Sequence, residues 1–349
     1  MTDLGIVIVN YNTRDQLRRA LQTVSASTGL SFKVVVVDNA SPDDSVAMVQ
    51  REFPAVHVIA SEKNGGFSYA NNLGLRWLGF SEDGFTAEAP RYALLLNPDT
   101  ETPPDTLAAM LRFMDTHSDA GMSGCKLLQA DGSLDLACRR SFPTPLVAFY
   151  HFSGLGKLFP QSPRFARYNL TFKDPDGTYE VDSLVGAFTL VRREALAQIG
   201  LMDETFFMYG EDIDWCYRVK HAGWKVMYVG SEHILHLKGT VGRKSAKARY
   251  EFARSMLLFY RKHYRHGTSF PVHLAVLAAL AFKGGRPMWA EIRHPTPFLP
   301  TAYPIALASG VLPTGVSGGD PAPAPVSTIG APSAVPVPSD DHDMQRIPQ

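Results

Sequence analysis

Apolar residues in the first part of the chain alternate between two patterns. The runs Gly5–Asn10 and Lys33–Asp38 are short, β-branched and almost continuously apolar, which is typical of strands buried on both faces of a parallel sheet. Between them, Thr13–Ser27 has apolar residues at the spacing of one helix face, and Thr13 is a suitable cap for this helix. A strand, a helix and a strand of these lengths predict a right-handed βαβ unit.

The alternation continues along the chain. We predict three further helices and four further strands, at Ser45–Phe53, Val56–Ala60, Tyr69–Leu78, Tyr92–Leu96, Thr106–His117, Thr189–Val191 and Trp224–Val229. The last of these helices is expected to start after Thr102, with Pro103 and Pro104 in its first turn. The whole pattern predicts an α/β fold with a Rossmann-like, mostly parallel sheet flanked by helices.

Two stretches depart from this alternation. Residues 139–180 are aromatic, basic and rich in proline, and we predict an insertion that packs over the edge of the sheet. After about Leu312 the chain consists mostly of Pro, Ala, Gly, Ser and Val, which cannot bury a core and predicts a disordered tail. The expected organisation is a main domain at residues 1–265, C-terminal helices at 266–312 and the tail at 313–349.

Composition and charge narrow the classes of function. The 34 Lys and Arg residues balance the 34 Asp and Glu residues, so no overall field attracts the chain to nucleic acid. The cysteines, at positions 125, 138 and 216, lack the spacing of a disulfide framework or a zinc site. The first residues lack the basic segment and the cleavage site of a signal peptide, so we expect a cytoplasmic protein.

One apolar run leaves two structural alternatives open. Phe270–Phe282 is shorter than the roughly 18 residues of a membrane span. It follows the stretch Lys238–Arg265, which contains nine Lys and Arg residues and one acid, Glu251. The run is compatible with a core helix beside a basic surface, and equally with a helix in the interface of an anionic membrane.

Polar residues stand where the predicted strands end. Asn10 ends the first strand and Asp38 ends the second, at the edge where parallel α/β sheets bind their ligands. An Asp in this position can accept a hydrogen bond from a base or a ribose hydroxyl. Since Asn and Asp also favour turns, the alternative is that Asp38 and Asn39 only shape a turn, and Asn10 is similarly ambiguous.

Two later strand ends carry similar signals. Gly65 and Gly66 stand between a strand and a helix, where backbone N–H groups can approach a phosphate, although a simple loop with a cap fits equally well. Asn97-Pro98-Asp99 follows the strand at Tyr92–Leu96. Its carboxylate suits Mg²⁺ or Mn²⁺ beside a diphosphate, and the alternative is a turn that leads into the next helix.

Glu211, Asp212 and Asp214 crowd the start of a predicted helix, after an aromatic run. A positioned carboxylate can accept the proton of an attacking hydroxyl group. The helix start favours an ionised carboxylate, whereas aromatic burial raises its pKa. The alternative is that these acids only cap the first turn.

Further along, His236 is a candidate metal ligand, with His233 as its competitor. A lone histidine is more often packed in the core than bound to a metal. Lys238, Arg243 and Lys244 follow on a glycine-containing loop that suits a diphosphate, or else forms a solvated basic surface.

Taken in order, these motifs resemble those of inverting family 2 glycosyltransferases with a GT-A fold, especially the rhamnosyltransferase-like branch. The resemblance covers roughly residues 4–260 and rests on VIVNYN, VDNAS, NGGFSYANNLG, LLLNPDTE, the block Gly186–Arg218 and HLKGT. The motif Q-x-x-R-W of processive synthases is absent.

The resemblance implies a role for each matched position. The nucleotide-sugar would be bound by Asn10, Asp38, Asn64, Gly65, Asn71, Asn97, Lys238 and Arg243. Asp99 and His236 would hold Mg²⁺ or Mn²⁺, although Asn97 replaces the first acid of a DXD motif. Asp212 would be the catalytic base with Glu211 in support, and Trp215 and Arg218 would help to build the acceptor side, which the insertion at residues 139–180 is expected to face.

The implied reaction moves one sugar from a nucleotide diphosphate sugar to a hydroxyl group. The expected donor is dTDP-rhamnose, with a UDP-sugar as the alternative. The expected acceptor is a cell-surface glycan or a polyprenyl-linked glycan at the cytoplasmic face of the inner membrane. Two other classes are considered. A sugar nucleotidyltransferase should show an N-terminal glycine-rich loop with an activating basic residue, and VNYNTRDQ is not such a loop. A catalytically silent nucleotide-sugar-binding scaffold would lose the acids, and the presence of Asp38, Asp99 and Asp212 argues against it.

Overall fold

The N-terminal half of the chain alternates strands and helices as predicted. The computed structural model describes residues 2–238 and 245–299. Up to residue 116 its elements are β1 (Leu4–Asn10), α1 (Arg14–Ser25), β2 (Phe32–Asp38), α2 (Ser45–Glu52), β3 (His57–Ala60), α3 (Phe67–Trp77), β4 (Phe80–Ser81), β5 (Gly84–Phe85), β6 (Tyr92–Leu96), β7 (Thr100–Glu101) and α4 (Thr106–Thr116). The helices and strands predicted in this half are confirmed.

The second half is less regular. Its elements are β8 (Ala120–Leu128), α5 (Pro145–Phe152), α6 (Leu155–Leu158), β9 (Thr178–Glu180), β10 (Phe188–Arg192), α7 (Arg193–Ile199), α8 (Glu211–His221), β11 (Lys225–His236), α9 (Ala246–His263), α10 (Phe270–Gly284) and α11 (Arg286–Arg293), with short 3₁₀ turns at Leu136–Cys138 and Arg265–Gly267. The segment predicted as an insertion contributes α5, α6 and β9.

Two helix starts differ in detail from the prediction. Asp105 is the cap residue of α4, so Pro103 and Pro104 precede the helix instead of forming its first turn. Thr13 does occupy the cap position of α1, but its side chain makes no capping hydrogen bond. Its hydroxyl donates to Asn10 Oδ1 at 2.7 Å and so joins α1 to the end of β1.

Nine of the described strands form a mixed sheet in the order β3-β2-β1-β6-β10-β8-β11-β7, with β9 on β11, and β4 and β5 form a separate two-stranded antiparallel sheet. The strands β3, β2, β1 and β6 run parallel to one another, and β8 and β11 are parallel to each other. Strand β10 is antiparallel to both β6 and β8 and joins the two parallel parts. The predicted α/β fold, a sheet flanked by helices, is confirmed.

Two hydrophobic clusters stabilise the fold. The larger one contains the strands β1, β2 and β6 with the helices that pack on them. The smaller one lies between α8, α9, α10 and α11 and includes Ile213, Leu257, Phe259, Leu280 and Met288. The domain boundaries at residues 265 and 312 stay predictions, and the tail lies outside the described residues.

Among residues 2–238 and 245–299, no helix combines the length and the apolar character that a membrane crossing requires. Helix α10 has three buried residues, Leu280, Ala281 and Gly284. Most of its other apolar side chains are at least partly exposed, Phe282 at 93%. Its structure therefore differs from that of an ordinary core helix.

Candidate active site

The ends of β1 and β2 meet because the strand register aligns Asn10 with Asp38. Asn10 Nδ2 donates to Asp38 Oδ1 at 2.8 Å and to Ser41 Oγ at 3.0 Å. The Ser41 N–H donates to Asp38 Oδ2 at 2.9 Å. The side chains of Asn10 and Asp38 are buried. Asp38 shapes the turn after β2, as in the simpler alternative, and its bond with Asn10 also joins the ends of the two strands.

A second hydrogen-bond network joins the β2 end to the glycine turn before α3. Asn39 Nδ2 donates to Asn64 Oδ1 at 3.0 Å, and the Gly65 N–H donates to Asn39 Oδ1 at 3.1 Å. The Gly66 N–H donates to Asn64 Oδ1 at 3.1 Å. These amides are therefore held by side chains, and Asn39, which the sequence analysis considered only as a turn residue, is the centre of the network. Asn71 is buried and donates to Phe67 O within its own helix at 2.9 Å.

The end of β6 and the end of β11 bring Asp99 and His236 together. His236 Nε2 lies 3.4 Å from Asp99 Oδ1, and the Leu237 N–H donates to Asp99 O at 2.9 Å. His236 Nδ1 lies 2.9 Å from Asp135 Oδ2, and Lys238 Nζ donates to Asp135 Oδ1 at 2.6 Å. Asn97, at the end of β6, donates its N–H to Ala187 O at 3.0 Å.

Close pairs of opposite charge determine the pKa values of Asp135 and His236 in this cluster. Burial alone would raise the pKa of Asp135, but His236 and Lys238 hold it well below its usual range. Burial alone would lower the pKa of His236, but the hydrogen bond with Asp135 and the nearby Asp99 carboxylate outweigh that effect and raise it. Asp135 orients the imidazole through Nδ1 and leaves Nε2 on the side of Asp99.

Among the residues that the structure describes, no group of three or more His, Cys, Asp and Glu side chains is arranged to hold a metal ion. His236 Nε2 is nevertheless buried and has no hydrogen-bond partner within that part of the chain. A carboxylate and an imidazole nitrogen of this kind fit a divalent ion that takes its remaining ligands from phosphate and water.

Helix α8 begins at Glu211, immediately after Gly210 in the left-handed conformation. Arg140 Nη2 donates to Asp212 Oδ2 at 2.6 Å, and the Ile213 N–H donates to Asp212 Oδ1 at 2.8 Å. The second bond joins neighbouring residues of the first turn, which has no side-chain capping hydrogen bond, whereas the first bond comes from a distant segment of the chain. Arg140 also donates to Leu184 O and is almost completely buried. The sequence prediction omitted Arg140 because nothing in the chain pattern links it to α8.

Glu211 lies in different surroundings from its neighbour Asp212. Burial, and then the charge of Asp212, raise the pKa of Glu211 to about 8. Its Oε2 atom is buried and makes no hydrogen bond within the described chain. Glu211 is therefore mainly protonated at pH 7, and Asp212 provides the negative charge at the start of α8.

Asp214, Trp215 and Arg218 of α8 are buried. Asp214 accepts hydrogen bonds from Arg218 Nε at 3.0 Å and from His263 Nε2 at 2.8 Å, and lies 2.8 Å from Lys262 Nζ. Burial would raise the pKa of Asp214, but the charges of Lys262 and Arg218 and the hydrogen bond with His263 hold it well below its usual range. Trp215 Nε1 donates to Gly200 O at 3.1 Å. Trp215 and Arg218 hold α8 in place, and their role on the acceptor side stays a prediction.

The structure thus groups the predicted residues into three places: the β1–β2 edge with the glycine turn, the Asp99–His236 cluster, and the start of α8. Lys238 belongs to the second place through Asp135. Arg243 lies outside the described residues.

The sequence matches the family described as "Glycosyl transferase family 2" over residues 5–200, which is more than half of the chain. The chain belongs to glycosyl transferase family 2. The matched part of this glycosyltransferase contains the β1–β2 edge and Asp99, whereas α8 follows it.

Relatives extend the match beyond residue 200. The chain is 29% identical over 297 residues to the N-acetylglucosaminyl-diphospho-decaprenol L-rhamnosyltransferase of Mycobacterium tuberculosis, covering 84% of this chain and 96% of that one. It is 27% identical to the rhamnosyltransferase WbbL of Escherichia coli, covering 66% and 82% of the two chains. It is 21% identical to the dTDP-rhamnosyl transferase RfbF of Shigella flexneri, covering 75% and 81%.

A solved structure shows the same fold. The crystal structure of GalNAc-T7 with UDP, GalNAc and Mn²⁺ superposes with a TM-score of 0.53 at 15% sequence identity, covering 76% of this chain. The chain spans about half of that protein, since 48% of the GalNAc-T7 chain is covered. The similarity agrees with the GT-A type of α/β fold that the sequence motifs imply.

Proposed function

We propose that this family 2 glycosyltransferase transfers rhamnose from dTDP-rhamnose to a hydroxyl group of a glycan carried on a polyprenyl diphosphate, with inversion and with a divalent metal. The names of its relatives support the donor and the acceptor, since one is a dTDP-rhamnosyl transferase and another acts on a diphospho-decaprenol. Such an acceptor is anchored in a membrane, so the enzyme would work at the membrane surface, on the cytoplasmic side.

The observation that carries the proposal is the pairing of Asp212 with Arg140 at the start of α8. The hydrogen bonds from Arg140 and from the Ile213 N–H fix the orientation of the Asp212 carboxylate. A carboxylate held in this way can accept the proton of the acceptor hydroxyl as its oxygen bonds to the anomeric carbon. The bond from that carbon to the diphosphate breaks in the same displacement, and the nucleotide diphosphate leaves.

Asp212 is a weak base, and the proposed reaction suits a weak base. The hydroxyl group becomes strongly acidic only while the new C–O bond forms, so its proton is transferred late. Protonated Glu211 adds no second negative charge beside Asp212, which would repel the diphosphate of the donor. This is the supporting role that we propose for Glu211.

The donor is proposed to lie along the edge formed by the ends of β1, β2 and β6. Asp38 would contact the base or the ribose, next to Asn10, and the turn at Asn64 and Gly65 would face the diphosphate. Asn97 would line the same edge, and the basic residues Lys238 and Arg243 would approach the phosphates. Asn71, which is buried inside α3, would act by holding that helix in place.

Asp99 and His236 are proposed to hold Mg²⁺ or Mn²⁺ together with the donor phosphates. A divalent ion in this place would neutralise the charge that develops on the leaving diphosphate. Asp135 orients His236 for this role and is itself neutralised by Lys238. The GalNAc-T7 structure, which has the same type of fold, was determined with Mn²⁺.

Calorimetric titration with dTDP, UDP and GDP, each with and without Mn²⁺, tests the donor and the metal together. We expect dTDP to bind most tightly and only in the presence of the metal. Asp99→Ala should abolish the effect of the metal because the carboxylate ligand is lost, whereas Asp83→Asn, at an exposed position, should not.

Preferential binding of UDP would instead favour the UDP-sugar alternative. If a folded sample bound none of the three diphosphates, the proposed donor site would be wrong and the scaffold alternative would be favoured.

A further inference from the structure

Two separate segments of the chain contain no acidic residue. Residues 136–173 and residues 252–290 each lack Asp and Glu, although each contains six Lys and Arg residues. The whole chain has equal numbers of acidic and basic residues, so this local excess of positive charge is balanced elsewhere. The first segment contains α5 and α6, and the second contains most of α9 and all of α10.

The fold brings these segments together. Lys283 Nζ, at the end of α10, lies 3.8 Å from the ring centroid of Phe152 in α5. The Phe152 ring also makes an edge contact with Phe252 of α9, with the ring centroids 6.4 Å apart. Burial, and then the positive charges of Lys283 and Lys157, lower the pKa of His151. Lys157 and Lys283, which belong to different segments, therefore both lie close to α5.

Large apolar side chains project from the same region. The exposed members are Leu146, Phe149, Phe152, Leu158, Phe159 and Phe282, and these side chains with Lys157 and Lys283 are called the α5–α10 surface here. Their exposed fractions run from 46% for Phe159 to 93% for Phe282. Apolar side chains next to lysines and without acids are the composition of a protein surface that lies in a membrane interface.

We propose that the α5–α10 surface binds the headgroup and upper acyl region of a bilayer that contains anionic phospholipids. The aromatic and aliphatic side chains enter the interface, and Lys157 and Lys283 bind the lipid phosphates. This assignment differs from the sequence expectation, which placed the basic contact on residues 238–265. In α9, Lys262 is instead paired with Asp203 and Asp214 inside the protein.

The position of the surface suits a lipid-linked acceptor. Helix α5 follows Arg140 closely in the chain, and the intervening Phe142 packs on Tyr217 of α8, with the ring centroids 5.1 Å apart. A bilayer on the α5–α10 surface would therefore lie beside the segment that carries Arg140, the partner of Asp212. The membrane contact stands by itself, whereas its use in acceptor delivery rests on the proposed function.

Vesicle sedimentation of the full chain tests the contact. The vesicles consist of phosphatidylcholine alone, or of equal parts of phosphatidylcholine and phosphatidylglycerol. The variants are Phe149→Glu with Phe282→Glu, and Lys157→Ala with Lys283→Ala. Phe85→Glu is the matched control, because Phe85 is also exposed, at 39%, but lies on β5 away from the acid-free segments. Melting temperatures check that every variant is folded.

The wild type should sediment with the anionic vesicles, less so at high salt. The Phe149/Phe282 variant should lower the partition coefficient by about tenfold or more, since two large apolar contacts are lost. The Lys157/Lys283 variant should lose the preference for anionic vesicles, and Phe85→Glu should bind as the wild type does.

Failure of the wild type to bind anionic vesicles would overturn the proposal, and so would wild-type binding by the Phe149/Phe282 variant. A dimer that this variant converts to monomers, without vesicle binding, would assign the surface to a second copy of the chain. Vesicle binding without any sugar transfer would retain the membrane contact and contradict only the proposed function.

Discussion

Glu211 and Asp212 are neighbours in the chain, but their carboxyl groups have opposite electrostatic surroundings. The charge of Asp212 is compensated by Arg140 and by the N–H of Ile213. Glu211 Oε2 is buried without a hydrogen bond in the described chain. Burial and the charge of Asp212 hold its pKa at about 8. The pair therefore offers one ionised and one protonated carboxyl group at neutral pH.

This asymmetry predicts how stability depends on pH. Because the pKa of Glu211 rises from 4.5 to about 8 on folding, the folded state binds more protons between these values. The resulting stabilisation is complete below pH 4.5 and is lost as the pH rises through 8, on the order of a few kcal/mol in total. Urea unfolding at pH 5.5 and pH 8 measures this loss.

Glu211→Gln should remove most of that pH dependence, since Gln resembles the protonated acid and does not titrate. Glu62→Gln, at an exposed position, is the control, and its free energy of unfolding should change with pH as that of the wild type does. If the free energy of unfolding changed equally with pH in the wild type and in Glu211→Gln, Glu211 would already be ionised at neutral pH.

The sequence predicted individual site residues best where a strand ends in a polar residue. Asn10, Asp38 and Asp99 end or closely follow apolar runs, so their position at the sheet edge follows from the pattern. Asp135 and Arg140 follow no such run, and their partners His236 and Asp212 are distant in the chain. Pairing of this kind depends on tertiary structure, which residue spacing does not encode.

At the scale of elements, the glycine turn before α3 connects the two halves of the site. Gly66 has a φ of +93°, and the Phe67 N–H donates to Phe207 O at 2.7 Å. A Cβ atom on Gly66 would lie 2.4 Å from that carbonyl oxygen. The turn therefore packs against the loop that leads into α8.

Gly66→Ala should destabilise the protein by about 3 kcal/mol or more, because backbone strain and overpacking combine. Gly132→Ala is the matched control. Gly132 has a φ of +78°, but a Cβ atom added there would meet no other atom within 4 Å, so only about 1 kcal/mol of strain is expected. Chemical unfolding measures both values. Equal losses in the two variants would contradict the proposed close contact with Phe207.

Whether the sequence predicted a strand depended on the residue types in that strand. The β-branched runs of β1 and β2 are unambiguous, whereas β8, with the sequence AGMSGCKLL, was not predicted. Gly121 and Gly124 dilute its apolar pattern, and a Cβ on Gly124 would lie 2.9 Å from a Leu184 side-chain carbon. Small residues in this strand are thus required by packing that only the folded chain reveals.

At the scale of the whole molecule, the α/β class followed from the alternation of strands and helices, but the mixed sheet did not. Strand β10 runs antiparallel between β6 and β8, and no local pattern specifies that direction. The contact between α5 and α10 is likewise not specified by any local pattern. Each segment is recognisably apolar and basic in the sequence, while their common surface exists only in the fold.

We propose that Asp212 is the base of a glycosyl transfer, and the transfer rate of Asp212→Asn at saturating donor tests this role. We expect a loss of about 10²–10⁴-fold, with the affinity for dTDP and the melting temperature close to those of the wild type. Asp83→Asn, an exposed carboxylate change, should retain full activity. Turnover of Asp212→Asn within a few-fold of the wild type would show that Asp212 is not the base.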